Sequence, residues 1–148
     1  MTAASAAPFG SRVVTKSCMR GLPVLLLALA LPVAAAAAEA NGAASKQIAT
    51  AGAHAGMALG ATDLAMAHAH LHHVVNCLVG PSGKGFDAKA GDPCKGMGHG
   101  AIADAKGDAA TEARLHAALG HAEQGLKATT LDAAHADANK AMESLQAK

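Results

Sequence analysis

The hydrophobic and polar positions divide the chain into an apolar N-terminal segment, two alanine-rich stretches and a glycine-rich segment between them. Alanine dominates residues 43 to 69 and 101 to 147, proline is absent from both stretches, and β-branched residues are few. Alanine has the highest intrinsic helix propensity, so both stretches are expected to be helical. The pattern therefore predicts an all-α protein.

The ends of the predicted helices follow from their flanking residues. The first helix is predicted from about 42 to 79, because Gly80-Pro81 is a strong stop signal. Residues 80 to 104 are predicted to form a loop, and their first part, 80 to 100, contains seven glycines. Two further helices are expected at about 105 to 127 and 131 to 147.

The number of helices remains open between two, three and four. Gly52, Gly56 and Gly60 weaken the first predicted helix, and a break near Gly60 would divide it into two. The predicted architecture is a small antiparallel helical hairpin or a three- or four-helix bundle, with one disulfide-stapled Gly/Pro loop.

The N-terminal segment, residues 1 to 40, is typical of a secretory signal peptide. Arg20 precedes an apolar stretch that ends in small residues, with cleavage expected after Ala38 or Ala40. Met19 is an alternative start that would give a signal of ordinary length. An uncleaved anchor is the other interpretation, but the apolar stretch is interrupted by prolines and short for a membrane span of about 20 residues. We expect a periplasmic or secreted protein whose residues 41 to 148 form a single domain outside the membrane.

Removal of this segment leaves little net charge. From residue 41 onward nine basic residues face ten acidic ones, which gives a net charge of −1 with neutral histidines. The basic residues are scattered, so no positive surface is expected for nucleic acid. Nucleic acid is therefore not an expected partner.

Two cysteines, Cys77 and Cys94, follow the signal segment. An exported chain with an even number of cysteines usually pairs them, so we predict a disulfide across the glycine-rich loop. Such a loop closure is worth about 3 kcal/mol. The alternative is a metal site that uses both thiolates.

Histidine is the most informative residue type for function. Four of the nine histidines, His68, His70, His72 and His73, fall within six residues. Imidazole is the commonest side-chain ligand of transition metals and titrates near neutral pH. The cluster therefore predicts binding of copper, zinc or nickel, or of haem iron.

Helical spacing predicts two groups of ligands. His68 and His72, four residues apart on the apolar face, would form the main site, completed by His135 or His54. A weaker surface site would use His70, His73, Met97 and His99. Met97 adds a soft ligand that suits copper.

These predictions lead to three hypotheses for function. The first is an exported metal buffer or chaperone that delivers its ion to a periplasmic acceptor protein. The second is a b-type haem protein for electron transfer or haem carriage, with axial ligands from His68 or His72 and from His135 or Met142. The third is an interaction module whose histidine face responds to pH. A homo-oligomer is compatible with each of them.

An enzyme is not expected. The sequence contains no Gly-rich phosphate loop, no nucleophile elbow and no His-Glu-x-x-His motif. A Cys-x-x-Cys-His motif for covalent haem attachment is also absent.

Overall fold

The computed structural model describes the backbone of residues 31 to 147 and the side chains from residue 41, and this part of the chain contains helices and no strand. The helices are α1 (Leu31–Leu59), α2 (Leu64–Val79), α3 (Ala101–Asp104), α4 (Ala109–Gly125) and α5 (Leu131–Gln146). The all-α prediction is confirmed, and the arrangement is that of a small helical bundle. The predicted disulfide is confirmed as well, because Cys77 and Cys94 are bonded.

The predicted signal peptide lies mostly outside the described residues. Helix α1 begins at Leu31, ahead of both expected cleavage positions. Between residues 31 and 147, no helix combines the length and the apolar character that a membrane span requires.

The structure divides the predicted helix from 42 to 79 into α1 and α2. Helix α1 ends at Leu59, and the turn that follows leads to Asp63, the N-cap of α2. The Asp63 side chain accepts a hydrogen bond of 2.8 Å from the backbone N–H of Met66, which satisfies one of the free donors in the first turn of α2. Helix α2 then runs back alongside α1, since His54 in α1 contacts His70 in α2.

Helices α4 and α5 pack against each other and against α2. Their N-caps are Asp108 and Thr130, whose side chains accept hydrogen bonds from the third residue along. The sequence predicts these helices at about 105 to 127 and 131 to 147, and the observed helices lie within both ranges. The packing between α2 and α4 is close, because a Cβ atom added at Gly125 would lie 2.7 Å from Cδ1 of Leu71.

Alanine makes up most of the core. The largest fully buried apolar side chains are Leu71, Leu78, Leu115 and Val74. Around them lie alanines with no exposed surface, namely Ala51, Ala55, Ala58, Ala67, Ala101, Ala118, Ala122, Ala134, Ala138 and Ala141. Small side chains let the helix backbones approach closely, and they bury little apolar surface per residue.

The segment after α2 is a loop held to that helix in two ways. The disulfide joins Cys77 of α2 to Cys94 of the loop. The side chain of Asn76, which is fully buried, forms three hydrogen bonds with the loop backbone. The loop returns to its own start, where Gly80 has a φ of +69° and a Cβ atom would overlap the carbonyl of His99. The short helix α3 occupies the last residues of the predicted loop.

Candidate metal centre

Helices α1 and α2 form a helical hairpin, and three half-buried histidines converge between them. His54 comes from α1, and His70 and His73 come from α2. The Nδ1 atom of His54 lies 3.3 Å from Nδ1 of His70 and 3.3 Å from Nδ1 of His73. One ring nitrogen from each histidine lies within 4.8 Å of the other two, so the three rings can bind one ion.

The hairpin geometry explains why these three meet. His70 and His73 are three residues apart, which places them on the same face of α2. The turn after Leu59 brings His54 opposite this face. The rings also contact each other, with centroids of His54 and His73 4.6 Å apart at an interplanar angle of 72°. We call His54, His70 and His73 the histidine triad.

The second ring nitrogen of His73 is held by the loop. Its Nε2 atom lies 2.7 Å from the backbone carbonyl oxygen of Ala90. A carbonyl oxygen only accepts hydrogen bonds, so Nε2 carries the hydrogen and donates it. In the neutral ring, Nδ1 of His73 is then an unprotonated nitrogen that faces His54.

Burial and proximity keep His54 and His70 in the neutral form that binds metal. Desolvation lowers the pKa of His54 below its ordinary value of 6.5, and the charges of His73 and His70 lower it further. Desolvation and His73 also lower the pKa of His70. Both rings are therefore neutral at pH 7, and neutral imidazole is the ligand form.

The spacing fits a tetrahedral ion. Nitrogen ligands bind zinc at about 2.0–2.1 Å, and two such ligands of a tetrahedral ion are about 3.3 Å apart. The separations of Nδ1 of His54 from Nδ1 of His70 and of His73, both 3.3 Å, match this value. Two of the three nitrogen pairs have this spacing and all three nitrogens lie within 4.8 Å of one another, so the triad could hold one metal ion.

A comparison of the chain with known protein families, curated proteins and solved structures finds no match.

The structure groups the histidines differently from the sequence prediction. His68 and His72 were expected to form the main site, but the described residues unite only His54, His70 and His73 in a cluster of three possible ligands. Nδ1 of His72 lies 3.8 Å from the carboxylate of Asp87. Nε2 of His68 is buried without a hydrogen-bond partner among the described residues. The break before α2 separates His54 from the helix that carries His68 and His72, and the hairpin places it opposite His70 and His73 instead.

The other proposed ligands contact different groups. Nε2 of His135 donates a hydrogen bond of 3.0 Å to the backbone carbonyl oxygen of Ala61. His99, whose side chain is 90% exposed, contacts the carboxylate of Asp104 at 3.2 Å. The sulfur of Met97 accepts a hydrogen bond of 3.7 Å from the hydroxyl of Thr50.

Two exposed methionines flank the triad. Met57 is three residues after His54, and Met66 is four residues before His70, so each lies one helical turn from a triad ligand. Their side chains are 48% and 45% exposed. Thioether sulfur is a soft donor atom of the type that suits Cu(I).

Asn76 is a residue that the sequence analysis missed. It is the one polar side chain in the apolar run from residue 74 to 79, between two valines and a cysteine. A polar group in such a run predicts a buried side chain with specific hydrogen-bond partners. That signal was present in the sequence, but its partners in the loop required the structure.

Proposed function

We propose that this protein binds one transition metal ion through His54, His70 and His73, and that it is an exported buffer or chaperone for copper, zinc or nickel. The observation that carries the proposal is the convergence of three ring nitrogens, with Nδ1 of His54 3.3 Å from Nδ1 of His70 and 3.3 Å from Nδ1 of His73. Three imidazoles so close repel one another when protonated, and a shared metal ion would satisfy their lone pairs together.

The position of the triad suits reversible binding. All three side chains are half-buried, so an ion there remains within reach of solvent and of a partner's ligands. A site for storage or delivery must release its ion, which a fully enclosed site would hinder. The predicted signal peptide supports a role in the periplasm or outside the cell.

The direct test is metal analysis of the protein without an affinity tag. Residues 41 to 148, exported and purified without chelating resin, should bind about one equivalent of Zn²⁺ or copper ion per chain, as expected for a three-histidine site. Titration with zinc, with Cu(I) under anaerobic conditions and with nickel would rank the metals. A Soret band with matching iron would instead support the haem hypothesis.

Two sets of variants test which histidines bind the ion. His54→Ala and His70→Ala should each remove tight binding, because two imidazoles remain. His68→Ala with His72→Ala is the matched control, since it also removes histidines from α2 but leaves the triad intact. Loss of binding in the control together with full binding in the triad variants would contradict the proposal.

A further inference from the structure

The orientation of His73 depends on a loop that contributes no ligand itself. The carbonyl oxygen of Ala90 accepts the hydrogen bond of 2.7 Å from Nε2 of His73. This contact determines which ring nitrogen carries the hydrogen and which is free for a metal. A shift of this carbonyl would change both the rotation of the ring and its tautomer.

Asn76 fixes the backbone on both sides of Ala90. Its Nδ2 group donates to the carbonyl of Asp87 at 2.8 Å and to the carbonyl of Gly91 at 2.6 Å. Its Oδ1 atom accepts a hydrogen bond of 2.8 Å from the N–H of Asp87. The segment from 87 to 91, with Ala90 inside it, is therefore attached to α2 at two points.

The attachment and the metal ligand belong to the same helix. Asn76 is three residues after His73, so the two side chains lie on neighbouring turns of α2 and face the same loop. Asn76 has no exposed surface. A buried amide keeps its place only while its hydrogen bonds are made, so its geometry is well defined.

We propose that Asn76 is a positioning residue of the metal site, which holds the Ala90 carbonyl so that His73 presents Nδ1 to the ion. This inference rests on the proposed metal-binding function. Groups that hydrogen-bond the second nitrogen of a ligating histidine fix its tautomer and orientation. Asn76 does not hydrogen-bond the ring of His73 itself. It holds the loop backbone whose Ala90 carbonyl makes that hydrogen bond.

The first test compares zinc affinities. Asn76→Ala should weaken binding by about 10- to 100-fold, the range that is typical when an outer partner of a ligating histidine is lost. Asn76→Ser is the second variant, because a hydroxyl keeps one polar group at this buried position and is less disruptive to folding. It cannot span both carbonyls, so it should also weaken binding.

Gln47 provides the matched control. It is the other buried polar side chain of the described residues, and its Nε2 group donates to Asp104 at 2.6 Å. Gln47→Ala should lower stability while leaving zinc affinity within about threefold of wild type, since it touches neither the loop carbonyl of Ala90 nor the triad. Wild-type affinity in folded Asn76→Ala or Asn76→Ser would overturn the inference.

The second test uses the metal-free protein and reads the ring directly. Nitrogen NMR of wild type should show His73 with hydrogen on Nε2 and a slowly exchanging N–H. Both Asn76 variants should show faster exchange at this nitrogen and a mixture of tautomers, whereas Gln47→Ala should not. Unchanged His73 signals in the Asn76 variants would overturn the inference. If wild type bound no metal, the proposed function would fail, and this comparison would still decide whether Asn76 orients His73.

Discussion

The contacts of each ring nitrogen distinguish the histidines of this protein. His73 and His135 both place Nε2 against a backbone carbonyl oxygen, and His99 places Nδ1 against a carboxylate. Among these three, His73 is the one whose other ring nitrogen lies beside another imidazole, at 3.3 Å from His54. One fixed nitrogen and one convergent nitrogen are the features of a ligating histidine.

Acid should destabilise the metal-free protein through His54 and His70. Their pKa values are lowered in the folded state, while the unfolded chain keeps the ordinary value of 6.5. Below pH 6.5 the unfolded chain binds protons that the folded protein does not, so the free energy of unfolding falls as pH drops. Above this pH His54 and His70 are neutral in both the folded and the unfolded protein, so their contribution to the free energy of unfolding no longer changes with pH. Urea unfolding at pH 8.0, 6.5 and 5.5 would measure the effect.

The variant His54→Gln separates this effect from other titrations. It removes one of the two lowered pKa values and leaves that of His70, which burial and His73 lower, so the pH slope should become shallower. His116→Gln, at an exposed position of α4, should keep the wild-type slope. Equal slopes in all three proteins would contradict the link between the triad and acid sensitivity.

At the scale of helices, local signals in the sequence predicted the helical stretches and several of their ends, but not α3, which lies in the predicted loop. Alanine-rich composition predicts the helices, and Gly80 and Thr130 mark ends that the structure also has. The turn before Asp63 was left open, because glycines spaced along a helix are compatible with both a bend and a close contact.

The turn between α1 and α2 determines which histidines meet in the site. On one continuous helix, His54 and His68 share a face, whereas in a hairpin His54 meets His70 and His73 from the opposite helix. Both sets have plausible helical spacing, so periodicity alone does not select between them. The candidate residues could be found from the sequence, and their grouping depended on tertiary structure.

The disulfide should matter more for stability than for metal binding. Cys77 and Cys94 are 17 residues apart, and closing a loop of this size contributes about 3 kcal/mol in the chain-entropy account. In the variant Cys77→Ala/Cys94→Ala, Asn76 can still hold the segment from 87 to 91 once the chain is folded. We therefore expect a large drop in the free energy of unfolding and a zinc affinity within about threefold of wild type.

Urea unfolding and zinc titration of the same double variant would measure both quantities. The titration should be made at a temperature where circular dichroism shows the variant to be folded. Loss of zinc binding in the folded variant would instead indicate that the loop depends on the disulfide for its local geometry. Reduction of wild type, which leaves both thiols in place, would then show whether sulfur can replace an imidazole.

For the whole molecule, the alanine core makes a bound ion important. A domain of about 110 residues has a small net stability, and small side chains bury less apolar surface than leucine or phenylalanine would. The triad lies between α1 and α2, which the chain connects through a short turn. An ion bound to His54 and to both α2 ligands would link the two helices a second time.

Metal binding should therefore raise the thermal stability of the entire domain. An ion that binds only the folded state at 100 times its Kd stabilises that state by about 2.7 kcal/mol, which corresponds to a rise of roughly 10 °C or more in Tm for a domain of this size. Differential scanning calorimetry with and without zinc would measure the shift. His54→Ala should abolish it, because His70 and His73 then bind from α2 alone and no longer connect the helices. His116→Ala should keep the full shift, and a shift that survives in His54→Ala would mean that the stabilising ion binds elsewhere.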